Sequence, residues 1–165
     1  MSMTEVNSEN RIPEGQIQVR RAEESDLQEL REIEELCFGT PWSEQTLRDM
    51  LSGPLDMVWA AEGKTSSGKS GIMGYLNFRT IAGEGELMRI AVRPEAREQG
   101  IGHLLMEQMI RAGESLGIRD ITLEVRASNA PARKLYQRFG FQEEAIRKNY
   151  YDHPQEDAVI EWRRA

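Results

Sequence analysis

The 165-residue sequence predicts a mixed, mostly antiparallel α/β sheet of about seven strands with about four helices. Three observations carry this. Residues 57–92 hold strand-like runs in succession, separated only by Gly-rich turns, as in an antiparallel meander. Segments on either side of it repeat apolar residues at helical spacing. Lastly, a strand at 87–92 passes through a Pro-bearing turn straight into a helix.

The elements follow in order. Residues 1–16 are polar and aperiodic, with Pro13 and Gly15, and read as a flexible tail, leaving 17–165 as a single domain. Gln16 to Arg20 make a short strand. Ser25 with Gln28 forms a capping box before a helix whose Leu27, Leu30, Ile33 and Leu36 recur at helical spacing. After Pro41-Trp42, Ser43 caps a short helix with Leu47 and Leu51 inward, ended by Gly53-Pro54. Strands follow at Met57–Glu62, Ile72–Ile81 and Glu86–Val92. A helix over Gly102–Leu116 turns Leu104, Leu105, Met109 and Ile110 inward and ends at Gly117. Asp120 to Arg126 alternates Ile121, Leu123 and Val125 as a strand. Asn129 caps a helix with Pro131 in its first turn, which closes at Gly140; strands at Phe141–Ile146 and Ala158–Trp162 complete the sheet.

One domain of this length buries a core without staples, and the single Cys37 forms no intrachain disulfide. Neither a signal-peptide pattern nor an apolar run of bilayer length occurs, so a cytoplasmic protein away from membranes is expected. The net charge of -7 argues against direct nucleic-acid binding. It is unevenly spread: residues 1–86 carry 8 basic and 16 acidic groups, whereas residues 87–140 carry 9 and 6. An anionic ligand belongs in that middle segment.

Two motifs compete for such a ligand. Gly63-Lys64-Thr65-Ser66-Ser67-Gly68-Lys69-Ser70 matches the P-loop pattern letter for letter. A P-loop must feed a helix, however, and the residues after Ser70 include two glycines and strand-type alternation. An exposed hairpin loop is the better reading. Arg97-Glu98-Gln99-Gly100-Ile101-Gly102 does sit between a strand and an amphipathic helix. Its glycines admit a close ligand, and the free amides of the first helical turn suit a pyrophosphate.

With that turn, the sequence resembles the GNAT acetyltransferase superfamily, whose pyrophosphate motif is [RQ]-x-x-G-x-[GA]. Pro41-Trp42-Ser43, Leu123-Glu124-Val125-Arg126-Ala127-Ser128-Asn129-Ala130, Leu135-Tyr136, Gly140-Phe141, Arg147-Lys148-Asn149-Tyr150-Tyr151 and Glu156-Asp157-Ala158 are similar to its RimI branch, the ribosomal-protein-alanine N-acetyltransferases. The likeness covers roughly residues 17–162. It implies acetyl-CoA as co-substrate, no metal, and a sheet whose fourth and fifth strands splay. It also implies that backbone groups of Ile90, Ala91 and Val92 hold the pantetheine arm. Glu98, Gln99, Gly100, Ile101, Gly102 and His103 would surround the pyrophosphate, with Asn129 beside the cofactor. Arg93, Arg97 and Arg133 read either as charges near the phosphates or as solvated surface.

Acetyl transfer needs a neutral amine, a route for its proton, and a proton for the departing thiolate. The resemblance implies Glu124 as general base and Tyr136 as general acid. Glu86, at the start of the fourth strand, is the rival base. Cys37 has no His beside it and reads as a packed side chain. A protein N-terminus, with a pKa near ~8 against ~10.4 for lysine, costs about 3 kcal/mol less to prepare as the neutral amine at pH 7. The resemblance points the same way, to the N-terminal alanine of small-subunit ribosomal protein eighteen, and so to a basic protein partner. The acceptor cleft is expected between Phe38 and Trp42 on one side and the loop after Tyr150 and Tyr151 on the other. Relative to the branch, the tail and the Gly-Lys-Ser hairpin are longer, and the loop Asp152–Gln155 is shorter. The alternatives are acetylation of a lysine or small amine, a nucleotide-binding P-loop protein, and an acetyl-CoA-binding module without catalysis. Acidic residues Glu23, Glu24, Asp26, Glu29, Glu32, Glu34 and Glu35 crowd the first helix and read as a solvated face or a surface that attracts a basic partner.

Overall fold

The computed structural model describes residues 12–13, 16–64 and 68–165. In chain order the elements are β1 (Gln18–Arg21), α1 (Leu27–Cys37), α2 (Glu44–Ser52), β2 (Asp56–Lys64), β3 (Ser70–Ile81), β4 (Glu84–Val92), α3 (Ile101–Ser115), β5 (Asp120–Arg126), α4 (Ala130–Arg138), β6 (Gln142–Tyr151) and β7 (Glu156–Arg163). The strands form one sheet, ordered β1-β2-β3-β4-β5-β7-β6. Every neighbouring pair is antiparallel except β4 with β5. The predicted mixed, mostly antiparallel sheet of seven strands with four helices is therefore the observed one.

Helices cover both faces and divide the core in two. On one face α3 and α4 enclose Phe78, Leu87, Ile101, Leu105, Met109, Leu123 and Tyr136. On the other, α1 and α2 enclose Leu30, Ile33, Leu47, Ile72, Tyr75 and Ala91. Two helix starts form as read: Ser43 Oγ accepts from Thr46 N at 3.1 Å, and Asn129 Oδ1 from Ala132 N at 3.2 Å.

The start of α1 differs from the reading at Ser25 and Gln28. A 3-10 turn over Glu24–Asp26 precedes it, and Glu23 N donates to Asp26 Oδ2 at 2.7 Å. Arg20 grips Asp26 through both terminal nitrogens, at 2.8 and 2.9 Å, fixing a charged acceptor there that the Ser25 hydroxyl cannot match. Leu36 is also misassigned by its spacing: it is 53% exposed. Glu34, seven residues on from Leu27 and four from Leu30, takes the inward position instead.

The Gly63–Ser70 reading is settled by its flanks. Lys64 ends β2 and Ser70 begins β3, so a strand follows the motif where a P-loop requires a helix. Residues 65–67 lie outside the described residues, as do 1–11 and 14–15 of the expected tail. Ile12, also assigned to that tail, is buried against the core, and its amide donates to Gln99 Oε1 at 2.7 Å.

One irregularity positions the site. β3 and β4 shift register between Asn77 and Phe78, whose partners are Arg89 and Leu87, so Met88 is an extra residue on β4. Such a bulge bends its strand and re-aims the side chains beyond it. Pairing between β4 and β5 runs only from Glu84↔Asp120 to Leu87↔Leu123, ending where the bulge begins. Beyond it the two central strands part.

Candidate active site

The gap left by the parting strands is a cleft of about 540 Å³. Its lining includes Ile90, Ala91 and Val92 of β4, then Arg97, Glu98, Gly100, Ile101 and Gly102 of the turn, and Asn129 and Tyr136. Eight of the ten residues expected around the cofactor therefore meet in one space. Backbone amides and carbonyls along the inner edges of the two strands have lost their sheet partner there, and an extended amide-bearing ligand would supply one.

The turn is shaped for an anion. Glu98 and Gly100 adopt positive φ of 62° and 80°, a conformation costly for Glu and easy for Gly. The first α3 hydrogen bond runs from Leu104 N to Gly100 O at 3.1 Å. The amides of Ile101, Gly102 and His103 precede it and have no protein acceptor among the described residues. A helix N-terminus with open amides binds phosphate groups. A Cβ on Gly102 would come within 3.1 Å of Leu135 Cδ2, so this glycine also lets α4 close on α3.

Gln99 and His103 are absent from the cleft lining. Gln99 is engaged with Ile12, and the His103 ring lies 3.0 Å from Glu107 and 4.8 Å, centroid to centroid, from Phe139. The arginines separate likewise. Arg97 borders the cleft and donates to Val92 O at 3.1 Å. Arg93 is committed to Ile72 O and Glu32, and Arg133 to Ala127 O and Glu143. Cys37 lines the cleft, its thiol donating to Val92 O at 3.3 Å, and burial raises its pKa. A protonated, packed thiol is a poor nucleophile.

Glu124 is the first residue of β5 past the last pair with β4. Leu123 and Val125 are buried with α3 and α4, so Glu124 points to the opposite face. There it lies 3.4 Å from Arg147 of β6, and its charge raises the pKa of Tyr150. Glu86 shares that neighbourhood but stands opposite Thr122, within the paired part of the strands. Burial first, then the charge of Glu124, raises its pKa. Tyr136 reaches the cleft from α4; burial, then the charge of Glu161, pushes its phenol well above the usual 10. Tyr151 links the two groups, feeling Glu124 and being felt by Tyr136, and burial brings its own pKa up to about 12. Carboxylate and phenol thus approach the split from opposite faces of the sheet.

On the Glu124 side the wall of Phe38 and Trp42 rests on residues that sequence reasoning missed. Glu34, fully buried, accepts from Arg89 Nε at 3.0 Å and Arg89 Nη2 at 2.6 Å, from Trp42 N at 3.0 Å, and from the Tyr75 hydroxyl. The Arg89 guanidinium lies 3.5 Å from the Phe38 ring centroid and 4.5 Å from that of Trp42. The expected aromatic wall exists, but it is hung on a buried ion pair. Helical spacing was the available signal, since Glu34 occupies the apolar stripe of α1.

Other acids of that segment are paired as well: Asp26 with Arg20, Glu24 with Arg48, and Glu29 and Glu32 with Arg93. Five of the seven acids, Glu34 included, are thus paired with four arginines, which leaves the face with an acidic balance. No group of three or more His, Cys, Asp or Glu side chains suited to a metal ion occurs among the described residues. Nor is any helix of the described residues long and apolar enough to cross a membrane.

A sheet split between parallel central strands, with open amides at the helix start by its mouth and a carboxylate and a phenol on either face, could serve an acyl-group transferase. Comparison with known proteins makes the class specific. The model of the Acetyltransferase (GNAT) family matches residues 27–141, and the chain belongs to that family as an N-acetyltransferase. The ribosomal protein bS18-alanine N-acetyltransferase of Escherichia coli (strain K12) is 36% identical over 141 residues, 84% of this chain and 90% of that one. Its Haemophilus influenzae counterpart is 34% identical over 145 residues, 86% and 94% of the two chains. The crystal structure of the Escherichia coli ribosomal-protein-S18-alanine N-acetyltransferase matches with a TM-score of 0.79 and 32% identity, covering 88% of this chain and 92% of that one. Arabidopsis thaliana NAA60 in complex with acetyl-CoA shares the fold at 18% identity, with a TM-score of 0.79 and coverage of 88% and 97%. These relatives agree with the RimI-branch resemblance read from the sequence.

Proposed function

We propose that this chain transfers the acetyl group of acetyl-CoA to the N-terminal amine of a protein, the alanine that begins a small-subunit ribosomal protein. The observation that carries the reading is the position of Glu124, first past the parting of β4 and β5 and facing away from the cofactor cleft. An amine entering on that side meets the carboxylate before the thioester. The activity for which the Escherichia coli and Haemophilus influenzae relatives are named supports the choice of acceptor.

In this reading acetyl-CoA lies in the cleft, its pantetheine along Ile90, Ala91 and Val92, and its pyrophosphate on the amides of Ile101, Gly102 and His103. Glu98, Gln99 and Gly100 shape the turn, and Asn129 borders the cofactor. Glu124 takes the proton of the amine, directly or through water, as nitrogen attacks the thioester carbonyl. The tetrahedral intermediate then collapses, the carbon–sulfur bond breaks, and the Tyr136 phenol protonates the leaving thiolate. Because burial keeps Tyr136 protonated, the acid is available across the pH range in which an N-terminal amine is neutral.

A weak carboxylate base suits an amine of pKa near ~8 better than a lysine near ~10.4. The cytoplasm is the compartment that this substrate assigns. Incubation with acetyl-CoA and two peptides tests the reading, with mass spectrometry as readout. One peptide has a free N-terminal alanine followed by basic residues; the other is N-blocked and carries an internal lysine. Acetylation of the first alone is expected. Acetylation of the blocked peptide alone would overturn the N-terminal reading.

A further inference from the structure

The proposed reaction gives Arg89 no task, yet the structure holds it with unusual care. It lies on β4 just past the bulge, on the α1 and α2 side of the split. Its side chain is 19% exposed, and Glu34 grips it through Nε and Nη2. A fork of that kind leaves Nη1 on the far side of the guanidinium from the carboxylate. The Tyr75 hydroxyl also hydrogen-bonds the Arg89 side chain, while no bond from Nη1 is found among the described residues. Phe38 and Trp42 close against the guanidinium, and Tyr151 senses its charge across the split. Arg89 is therefore a rigid donor set into the wall that the acceptor must pass.

The chemistry of the missing partner follows from the charges. Glu34 already neutralises Arg89, and the neighbouring carboxylates of Glu86 and Glu124 are balanced by Arg79 and Arg147, which leaves no net positive charge. An anion has little to gain there, and an ammonium does not accept hydrogen bonds. A neutral carbonyl oxygen fits. We propose that Arg89 Nη1 hydrogen-bonds a main-chain carbonyl within the first two residues of the incoming protein, so that the site recognises extended backbone behind the amine. Arg89 is then a specificity-determining residue, and Glu34 its positioning residue. This inference rests on the N-terminal acceptor reading.

Thioamide peptides test it, because sulfur is the poorer hydrogen-bond acceptor. Three peptides are compared: the parent with a free N-terminal alanine, and versions with a thioamide at the first or second carbonyl. KM for each is measured with wild type and Arg89→Lys, alongside KM for acetyl-CoA. In the wild type one thioamide raises the peptide KM about fivefold, and Arg89→Lys raises the parent KM about tenfold, the scale of one charge-assisted hydrogen bond. In Arg89→Lys neither thioamide costs more, and KM for acetyl-CoA stays within about twofold of wild type. A poorly folded Arg89→Lys is replaced by the neutral pair Glu34→Gln with Arg89→Gln, read in the same way. Equal thioamide penalties in wild type and variant, or a parent KM unchanged by the substitution, overturn the inference alone. A wild type inactive on the parent peptide overturns the N-terminal reading first and this inference with it.

Discussion

The two faces of the split sheet are built by different means. On the α3 and α4 face the site is made mainly of backbone, with Tyr136 added: a strand edge at Ile90 to Val92 that no neighbouring strand covers, and open amides at the head of α3. On the α1 and α2 face it is made of side chains drawn from four places in the chain, with Glu34 holding Arg89, Tyr75 and Trp42 in one cluster. Backbone sites tolerate changes of side chain and depend on chain conformation. Side-chain sites invert that dependence. Substitutions on the two faces should therefore fail in different observables, stability and acceptor KM on one, cofactor KM on the other.

The largest effect belongs to the side-chain face. Glu34→Ala strands Arg89 and the Tyr75 hydroxyl, and breaking such a buried pair costs about 3 to 5 kcal/mol, which denaturant unfolding will read. Next comes the chemical step. Tyr136→Phe removes the proposed acid, and we expect a fall in kcat of about 100-fold with little change in either KM. The pH profile sharpens this. Burial holds the Tyr136 proton on well above pH 10, so wild-type rates rise as an amine of pKa near ~8 loses its proton and show no fall from Tyr136 ionisation below pH 10.

The backbone face should answer to conformation. Gly100 has φ of 80° with open space where a Cβ would sit, so Gly100→Ala meets strain and no clash. We expect that strain, about 1 to 2 kcal/mol, to appear chiefly as a roughly tenfold rise in the KM for acetyl-CoA. Smallest is the pair of Arg20 and Asp26 before α1. The hydrogen bond from Arg20 lowers the Asp26 pKa, so the pair stabilises the fold above the ordinary value of about 3.9 and loses that effect as pH falls through the lowered one. Arg20→Gln should cost about 1 kcal/mol at pH 7, and the difference from wild type should shrink in acid melts.

The same contrast explains what could be read from the sequence. The strand, turn and helix order was legible because Gly, Pro and apolar periodicity report backbone directly, and the turn at Arg97–Gly102 reports its own conformation. Gly63–Ser70 matched a motif more closely and meant less, because β3 follows it. Illegible were contacts between distant residues. Arg89 is an ordinary charged residue in a strand until Glu34, 55 residues earlier, is found beneath it. Arg93 and Arg133 looked equally available to a phosphate until their carboxylate partners were seen. The Met88 bulge leaves no mark in composition, yet it decides where β4 and β5 part.

Both faces meet at Glu124, with Glu86 close behind. Burial raises the pKa of Glu86, which suits it to proton abstraction if the amine could reach it, so the two carboxylates must be separated by experiment. The direct measurement is kcat for Glu124→Gln and Glu86→Gln on a peptide with a free N-terminal alanine, together with KM for acetyl-CoA. Glu124→Gln should lose at least about tenfold in kcat with acetyl-CoA KM unchanged, while Glu86→Gln keeps most of its turnover. Full activity in Glu124→Gln with loss in Glu86→Gln would contradict the proposed site and move the base one step inward along the paired strands.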